Sequence, residues 1–187
     1  MIYTEIADIN TYRLKLRKLT NGDAKEFYKF AGDERVSKYM NWIPHSSIID
    51  SKKSIEKSIE NYEKGKYYRW GISLQEDGSL IGIIQLLAFD DSRNSCSFAY
   101  MLNYDCWGRG YGSEVVAAVI NFAFEKMLVR IIEADVFSEN KASAAVMKKC
   151  GMIYIDTIKN KYEKDGVFYD ADRYVITRND RLCKGIK

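Results

Sequence analysis

Three glycines stand at alternate positions in the segment CWGRGYGSEV, residues 106–115. Glycine at this density weakens a regular element, because it costs backbone entropy. A helical pattern follows at once, so Gly108, Gly110 and Gly112 stand before the first turn of a helix. That turn offers free N–H groups and the positive end of the helix dipole, and glycines let a phosphate approach without meeting a Cβ atom. The segment therefore predicts either a phosphate-binding loop or a tight turn.

Two common phosphate loops do not match this segment. A nucleotide P-loop ends in Gly-Lys-Ser/Thr, whereas Gly110 is followed by Tyr111, Gly112 and Ser113. A dinucleotide-binding Gly-x-Gly-x-x-Gly that begins at Gly108 would need a glycine where Ser113 stands. Both differences weigh against a nucleotide-binding protein, which stays as a third hypothesis.

Hydrophobic periodicity predicts the elements that would position the glycine segment. Strands are expected at 12–19, 67–75, 80–89, 95–102, 129–137, 152–158 and 167–177. Helices are expected at 21–31, 34–40, 47–64, 113–127 and 138–150. Ser138 is the expected N-cap of the last helix, and Gly151 the residue after its end. The order is mixed α/β, with one strand–helix–strand crossover at 95–137.

Composition and charge restrict the class of protein. The chain has 187 residues, 47% of them hydrophobic, and a net charge of +3. Without a basic excess we expect no nucleic-acid partner, and without a long apolar run we expect no membrane segment and a cytoplasmic location. The one histidine and the wide spacing of the four cysteines predict no metal site. Cys96, Cys106, Cys150 and Cys183 are expected to be reduced thiols.

Two linked motifs carry a resemblance to a known family. The stretch YMLNYDCWGRGYGSEVVAAVINFAFEKMLVRIIEADVFSENKASAAVMKKCGM, from Tyr100 onwards, resembles the GNAT superfamily of acetyl-coenzyme A-dependent N-acetyltransferases. It is most similar to the branch with the ribosomal-protein N-terminal acetyltransferases and the spermidine or antibiotic enzymes. The family's Gln/Arg-x-x-Gly-x-Gly/Ala loop falls on residues 107–112, with Trp107 in the first position. Its Asn-x-x-Ser/Ala helix falls on SENKASAAVMKKCGM.

The resemblance implies the fold. We expect one GNAT-like α/β (α+β) domain over residues 1–187, with a core at about 12–178. Its central sheet should be mixed but mostly antiparallel, with about seven strands, one splayed parallel pair and helices on both faces.

The resemblance also implies the reaction, in which an acetyl group passes from acetyl-coenzyme A to a primary amine by direct attack in a ternary complex. The amine would be a protein N-terminus, a polyamine or another small amine. Pyrophosphate would bind to N–H groups of the glycine loop, and pantetheine to an open strand edge. The N–H near Leu102 and Asn103 would polarise the thioester carbonyl, and Asn140 would contact pantetheine or simply start its helix. The implied coenzyme-binding residues are Leu102, Asn103, Trp107, Gly108, Arg109, Gly110, Tyr111, Gly112, Ser113, Asn140 and Ser143.

The catalytic acid and base are less well defined. Many members of the family use a tyrosine to protonate the departing thiolate, and that position is Met147 here. The branch instead implies a serine for this role, which is Ser143. The alternative is that Ser143 is only a packing residue. The family's frequent glutamate base falls on Ser97, so Tyr100 could order a water for this role. Glu139 and Asp90 are further carboxylates for it. These departures keep open a second function, that of a catalytically weak coenzyme A-binding or sensing module.

The acceptor site should be framed by residues 21–65 and by the turn at 159–168, which are variable regions in the family. Residues 21–65 hold equal numbers of acidic and basic side chains, so they favour neither a cationic nor an anionic acceptor. The oligomeric state is left open, with a homodimer as one arrangement.

Overall fold

A computed structural model describes residues 6–64 and 68–180 of the chain. The strands are β1 (Ile9–Asn10), β2 (Leu14–Arg17), β3 (Tyr68–Leu74), β4 (Leu80–Asp90), β5 (Ser95–Leu102), β6 (Ile131–Phe137), β7 (Ile153–Lys164) and β8 (Val167–Thr177). The helices are α1 (Ala24–Ala31), α2 (Glu34–Ser37), α3 (Ile48–Glu63), α4 (Tyr111–Glu125) and α5 (Lys141–Lys149). Two predictions fall outside the described residues. They are the start of a strand at Tyr67 and the reduced thiol of Cys183.

All the strands form one sheet in the order β1-β2-β3-β4-β5-β6-β8-β7. Every neighbouring pair is antiparallel except β5 and β6, which are parallel and joined through α4. This confirms the mixed, mostly antiparallel sheet and the crossover at 95–137. Within residues 6–64 and 68–180 the sheet has eight strands rather than about seven, because the two-residue β1 pairs with β2 and is too short to show alternation.

Helices cover both faces of the sheet, as expected, and each face has its own hydrophobic cluster. On one face α4 packs against side chains such as Ile84, Phe98 and Leu102. On the other face α1 packs with Ile55 of α3 against Ile83 and Met101. Neighbouring side chains of β5 therefore point to opposite faces of the sheet, because side chains alternate in direction along a strand.

Two helix starts differ from the prediction. Helix α4 begins at Tyr111 rather than at residue 113, because Gly110 takes the N-cap position in a left-handed conformation. Helix α5 is capped by Asn140 and not by Ser138, since the Asn140 side chain accepts the Ser143 N–H. The Ser138 hydroxyl instead donates to Asp172 at 2.7 Å.

The last hairpin is longer than predicted. Strand β7 continues to Lys164 through a polar stretch whose side chains are mostly exposed, so the apolar pattern that marks a strand is absent there. Asp165 and Gly166 form the predicted turn, both with positive φ. Among the described residues no helix is both long and apolar enough to span a membrane.

Candidate functional site

The three glycines of the loop between β5 and α4 serve different purposes. Gly108 and Gly110 have φ angles of 73° and 82°, a region that side-chain-bearing residues rarely adopt. A Cβ on Gly108 would meet no atom within 4 Å, so the space beside that glycine is open. Gly112 lies in α4, where a Cβ would be 3.4 Å from Val146 of α5 and 3.6 Å from the Tyr100 hydroxyl. The loop therefore needs glycine at positions 108 and 110 for its backbone conformation, whereas a Cβ at position 112 would make ordinary van der Waals contacts.

Helix α4 directs unpaired N–H groups towards this loop. Its first backbone hydrogen bond runs from the Glu114 N–H to the Gly110 carbonyl. The geometry of an α-helix then leaves the N–H groups of Tyr111, Gly112 and Ser113 without acceptors inside the helix. Such a terminus suits an anion, because the N–H groups and the helix dipole both favour negative charge.

Arg13, which the sequence analysis did not single out, supports the loop from the β1–β2 turn. Its guanidinium donates to both the Glu114 carboxylate, at 2.7 Å, and the Arg109 carbonyl, at 2.9 Å. It also lies 4.4 Å from the centre of the Tyr111 ring. Thr11 adds a 2.6 Å hydrogen bond to Glu114. One arginine thus fixes the loop and the first turn of α4 to the edge of the sheet.

Glu114 is ionised in this arrangement. Burial by itself would raise its pKa, but hydrogen bonds from Thr11 and Arg13 and the charge of Arg13 outweigh burial and lower it. The Arg13–Glu114 ion pair is therefore intact at neutral pH.

Strands β5 and β6 separate as they approach the loop. They pair only from Ser95 to Ser97, although β5 continues along β4 to Leu102 and β6 continues along β8 to Phe137. Successive N–H groups of a strand point to opposite edges. Asn103 donates its N–H to the Ile81 carbonyl at 2.7 Å, so the N–H groups of Tyr100 and Leu102 face the opening. This confirms the predicted splay and corrects one assignment, because the Asn103 N–H points away from the open edge.

Ser143 and Tyr100 come together in the opening between β5 and α5. Ser143 is half-buried on the same face of α5 as the buried Met147 and Cys150, as its spacing predicts. The Oδ1 atom of Asn140 accepts the Ser143 N–H at 3.0 Å, which confirms the helix-start interpretation of Asn140. A ligand would have to use the amide nitrogen of Asn140.

The Tyr100 phenol is neutral over the physiological range of pH. Burial raises its pKa above the ordinary value, while the polar side chain of Ser143 acts in the opposite direction. Tyr100 and Ser143 thus bring two neutral hydroxyls into the same region.

The opposite face of the splay holds a carboxylate that sequence reasoning missed. Glu133 of β6 is the register partner of Ser97, the position on which the family's glutamate falls. Ile132 and Ala134 belong to the cluster on the α4 face, so Glu133 projects from the other face. Its carboxylate is 2.6 Å from Arg93. The register of β5 against β6 brings it beside Ser97, and no local pattern shows that register.

The other two carboxylates considered for the base are placed elsewhere. Asp90 accepts N–H groups of the turn between β4 and β5, and its register partner is Ser95, at the far end of β5 from Leu102. Glu139 is exposed in the connection between β6 and α5.

Aromatic residues and the β7–β8 hairpin border this second face. Phe137 at the end of β6 stacks on Tyr162, with ring centres 4.5 Å apart, and lies 6.2 Å from Tyr39. Lys164 of the hairpin donates to the Ser37 carbonyl of α2 at 2.8 Å. The two regions expected to frame the acceptor therefore meet.

Comparison with known proteins agrees with this geometry. The family model of the acetyltransferase (GNAT) domain matches residues 13–153, which include strands β2 to β6, the glycine loop and α5. The chain belongs to the GNAT family of acetyltransferases.

Individual relatives extend the match to almost the whole chain. An uncharacterized N-acetyltransferase of Bacillus subtilis, YoaA, is 26% identical over 170 residues, which cover 91% of this chain and 96% of that protein. The ribosomal α-N-protein acetyltransferase RimL, solved with coenzyme A, superposes with a TM-score of 0.82 at 17% identity over 91% of this chain and 98% of its own. Spermidine N-acetyltransferase from Vibrio cholerae, solved with coenzyme A and spermine, superposes with a TM-score of 0.79 at 19% identity. The match covers 92% of this chain and 99% of that protein. These structures share the fold.

Proposed function

We propose that the protein transfers the acetyl group of acetyl-coenzyme A to a primary amine, either a small amine or the N-terminus of a peptide, in the cytoplasm. The observation that carries the proposal is the open edge of β5, which leads directly into the glycine loop. Acetyl-coenzyme A would supply an activated thioester. The solved neighbours named for spermidine and for a ribosomal protein support an amine as the acceptor.

The residues present fit the coenzyme. The N–H groups from Arg109 to Ser113 would take the pyrophosphate, beside the open space at Gly108. The N–H groups of Tyr100 and Leu102 would hold the pantetheine and polarise the thioester carbonyl, a contribution worth about 3 to 4 kcal/mol per donor in other acyl transferases. Asn140 would hold the pantetheine arm through its amide nitrogen.

Proton transfer would use both faces of the splay. Ser143, with its neighbour Tyr100, would protonate the departing thiolate on the α5 face. Glu133 would accept the proton of the amine on the other face, directly or through a water. This step is needed because an ammonium with a pKa of about 10 has no free electron pair for attack.

A second candidate function is a coenzyme A-binding or sensing module. It is favoured by Met147, which stands in the family's tyrosine position and is buried.

Turnover and binding experiments separate these functions. Acetyl-coenzyme A is offered with spermidine, spermine, an aminoglycoside and alanine- or serine-ended peptides, and the released thiol is measured. Calorimetry with coenzyme A, ATP and NAD runs in parallel. We expect coenzyme A binding and turnover of at least one amine. Binding without any turnover would instead support the sensing module, and stabilisation by ATP or NAD alone would support a nucleotide-binding protein.

A further inference from the structure

Trp107, the first residue of the glycine loop, folds back onto β5. Its indole Nε1–H donates to the Leu102 carbonyl at 2.9 Å. The residue is 41% exposed, so this contact lies at the surface and not in the hydrophobic core. The residue therefore makes a directed polar contact with the last residue of the strand.

The contact fixes a peptide group at the end of the open edge. The carbonyl of the Leu102–Asn103 peptide accepts from Trp107, and the N–H of the same peptide donates to Ile81 at 2.7 Å. Within one strand residue the N–H and the carbonyl point to the same edge. The carbonyl and the N–H of Leu102 therefore both point to the open edge. The indole hydrogen-bonds to the carbonyl, and the N–H remains for a ligand.

Trp107 is supported in turn by residues from the acceptor side. Its ring centre lies 5.0 Å from that of Tyr104. The Arg35 guanidinium of α2 lies 3.9 Å from the centre of the Tyr104 ring, and Asp33 holds that guanidinium through both carboxylate oxygens. A line of contacts therefore runs from α2 to the open edge of β5.

We propose that Trp107 is a positioning residue for acyl transfer. Its indole N–H occupies the last carbonyl acceptor on the open edge of β5, that of Leu102. This role rests on the proposed function. An uncapped carbonyl beside the Leu102 N–H would bind water and repel the carbonyl oxygen that approaches this donor. With the indole in place, the Leu102 N–H remains as the donor on this edge. Its direction is fixed because the next peptide group, Leu102–Asn103, is hydrogen-bonded at both its carbonyl and its N–H. Preorganised donors of this kind are the ones that lower an acyl-transfer barrier.

The sharpest test removes one hydrogen-bond donor. Trp107 is replaced site-specifically by 3-benzothienylalanine, which keeps the bicyclic ring and lacks the N–H. We expect kcat/KM to fall and the dissociation constant of coenzyme A to rise, each by about three- to tenfold, the value of one hydrogen bond. The amide resonance of Leu102 should shift in the free protein, and its shift on addition of coenzyme A should shrink. Trp107→Phe provides a second variant with the same expected direction.

Trp70 offers a matched control. Its indole donates to the Ala7 carbonyl at the same 2.9 Å, but within the core. The same replacement at Trp70 should lower the melting temperature and leave coenzyme A affinity unchanged, the reverse of the result at Trp107. Wild-type affinity and an unmoved Leu102 resonance in both Trp107 variants would overturn the proposal. If the unmodified protein bound no coenzyme A and acetylated no amine, the proposed function itself would fail, together with this inference.

Discussion

Ser143 is the hydroxyl near the separated strands β5 and β6 whose removal we expect to change turnover. Ser143 lies on the face of α5 that also carries Met147, and Met147 has no proton to donate. We predict that Ser143→Ala lowers kcat and kcat/KM together, within the roughly ten- to ten-thousandfold range of single proton-transfer groups, with little change in coenzyme A affinity. Steady-state kinetics and calorimetry measure the two quantities.

Ser138 provides the control for Ser143. Its hydroxyl comes from the neighbouring segment but donates to Asp172, so Ser138→Ala should retain kcat. If Ser143→Ala kept full kcat with the best amine, Ser143 would be a packing residue, and the thiolate would take its proton from elsewhere.

Glu133 should determine how the rate depends on pH. A general base matters most where the amine is still protonated, and it becomes unnecessary as the pH approaches the amine pKa of about 10. We predict that Glu133→Gln lowers kcat/KM at pH 7 by about a hundredfold, the lower end of the range for general bases, and that the deficit shrinks as the pH rises. Asp90→Asn, at the far end of β5, should leave the pH–rate profile unchanged. A deficit that is the same at every pH would exclude Glu133 as the base.

The glycine loop and helix α4 form a single element with a testable requirement. A side chain on Gly110 would be strained at φ 82°, and its Cβ would come within 3.4 Å of the Arg13 guanidinium. We predict that Gly110→Val weakens coenzyme A binding at least tenfold, about 1.4 kcal/mol, because it displaces the loop from its Arg13 support. Titration calorimetry provides the measurement.

Gly78 allows strain and binding to be separated. It has φ 77° in the β3–β4 turn, with no atom within 4 Å of an added Cβ. Gly78→Val should therefore lose stability through backbone strain alone and bind coenzyme A normally. Equal affinities for the two variants would show that the loop is not the pyrophosphate site.

Elements were predictable where their signal is local. Strands β3 and β4 lie close to the ranges expected at 67–75 and 80–89, and an Asp-Gly pair forms the turn between them, because only a few residues accept positive φ. The second half of β7 was missed, since an exposed edge strand has no buried face to produce alternation. The N-cap of α5 was misassigned because Ser138 and Asn140 are both good capping residues and only the tertiary contact with Asp172 separates them.

The site depends on contacts that local patterns do not show. The glycines, Asn140 and Ser143 were predicted as site residues because they lie within two linear motifs. Arg13 and Glu133 were not, because Arg13 meets Glu114 from about a hundred positions away and Glu133 meets Ser97 across a parallel pair. Side chains contributed by distant strands become visible only when the order and register of the sheet are known.

At the scale of the whole molecule, a partly buried ion pair connects the sheet to the start of α1. Arg17 of β2 donates to both carboxylate oxygens of Asp23, which is 6% exposed at the start of α1. Burial by itself would raise the Asp23 pKa, but the hydrogen bonds from Arg17 and Thr20 and the Arg17 charge lower it overall. The pair therefore links the sheet to the segment that begins the expected acceptor region, residues 21–65.

This pair should make stability depend on pH in a defined direction. Because the Asp23 pKa is lower in the folded than in the unfolded protein, the ionised pair stabilises the fold fully above the unfolded pKa of about 3.9. That contribution is lost as the pH falls through the folded pKa. We predict that Asp23→Asn lowers the free energy of unfolding by about 1 to 3 kcal/mol at pH 7, as expected when a buried partner is removed. The difference from wild type should narrow as the pH falls below 4 in urea titrations. Lys159–Asp170, an ion pair on the β7–β8 hairpin whose lysine is exposed, provides the control, since Asp170→Asn should change stability much less than Asp23→Asn. A penalty for Asp23→Asn that stayed constant down to the lowest pH would show that shape and hydrogen bonding, rather than the charge of Asp23, hold the start of α1 in place.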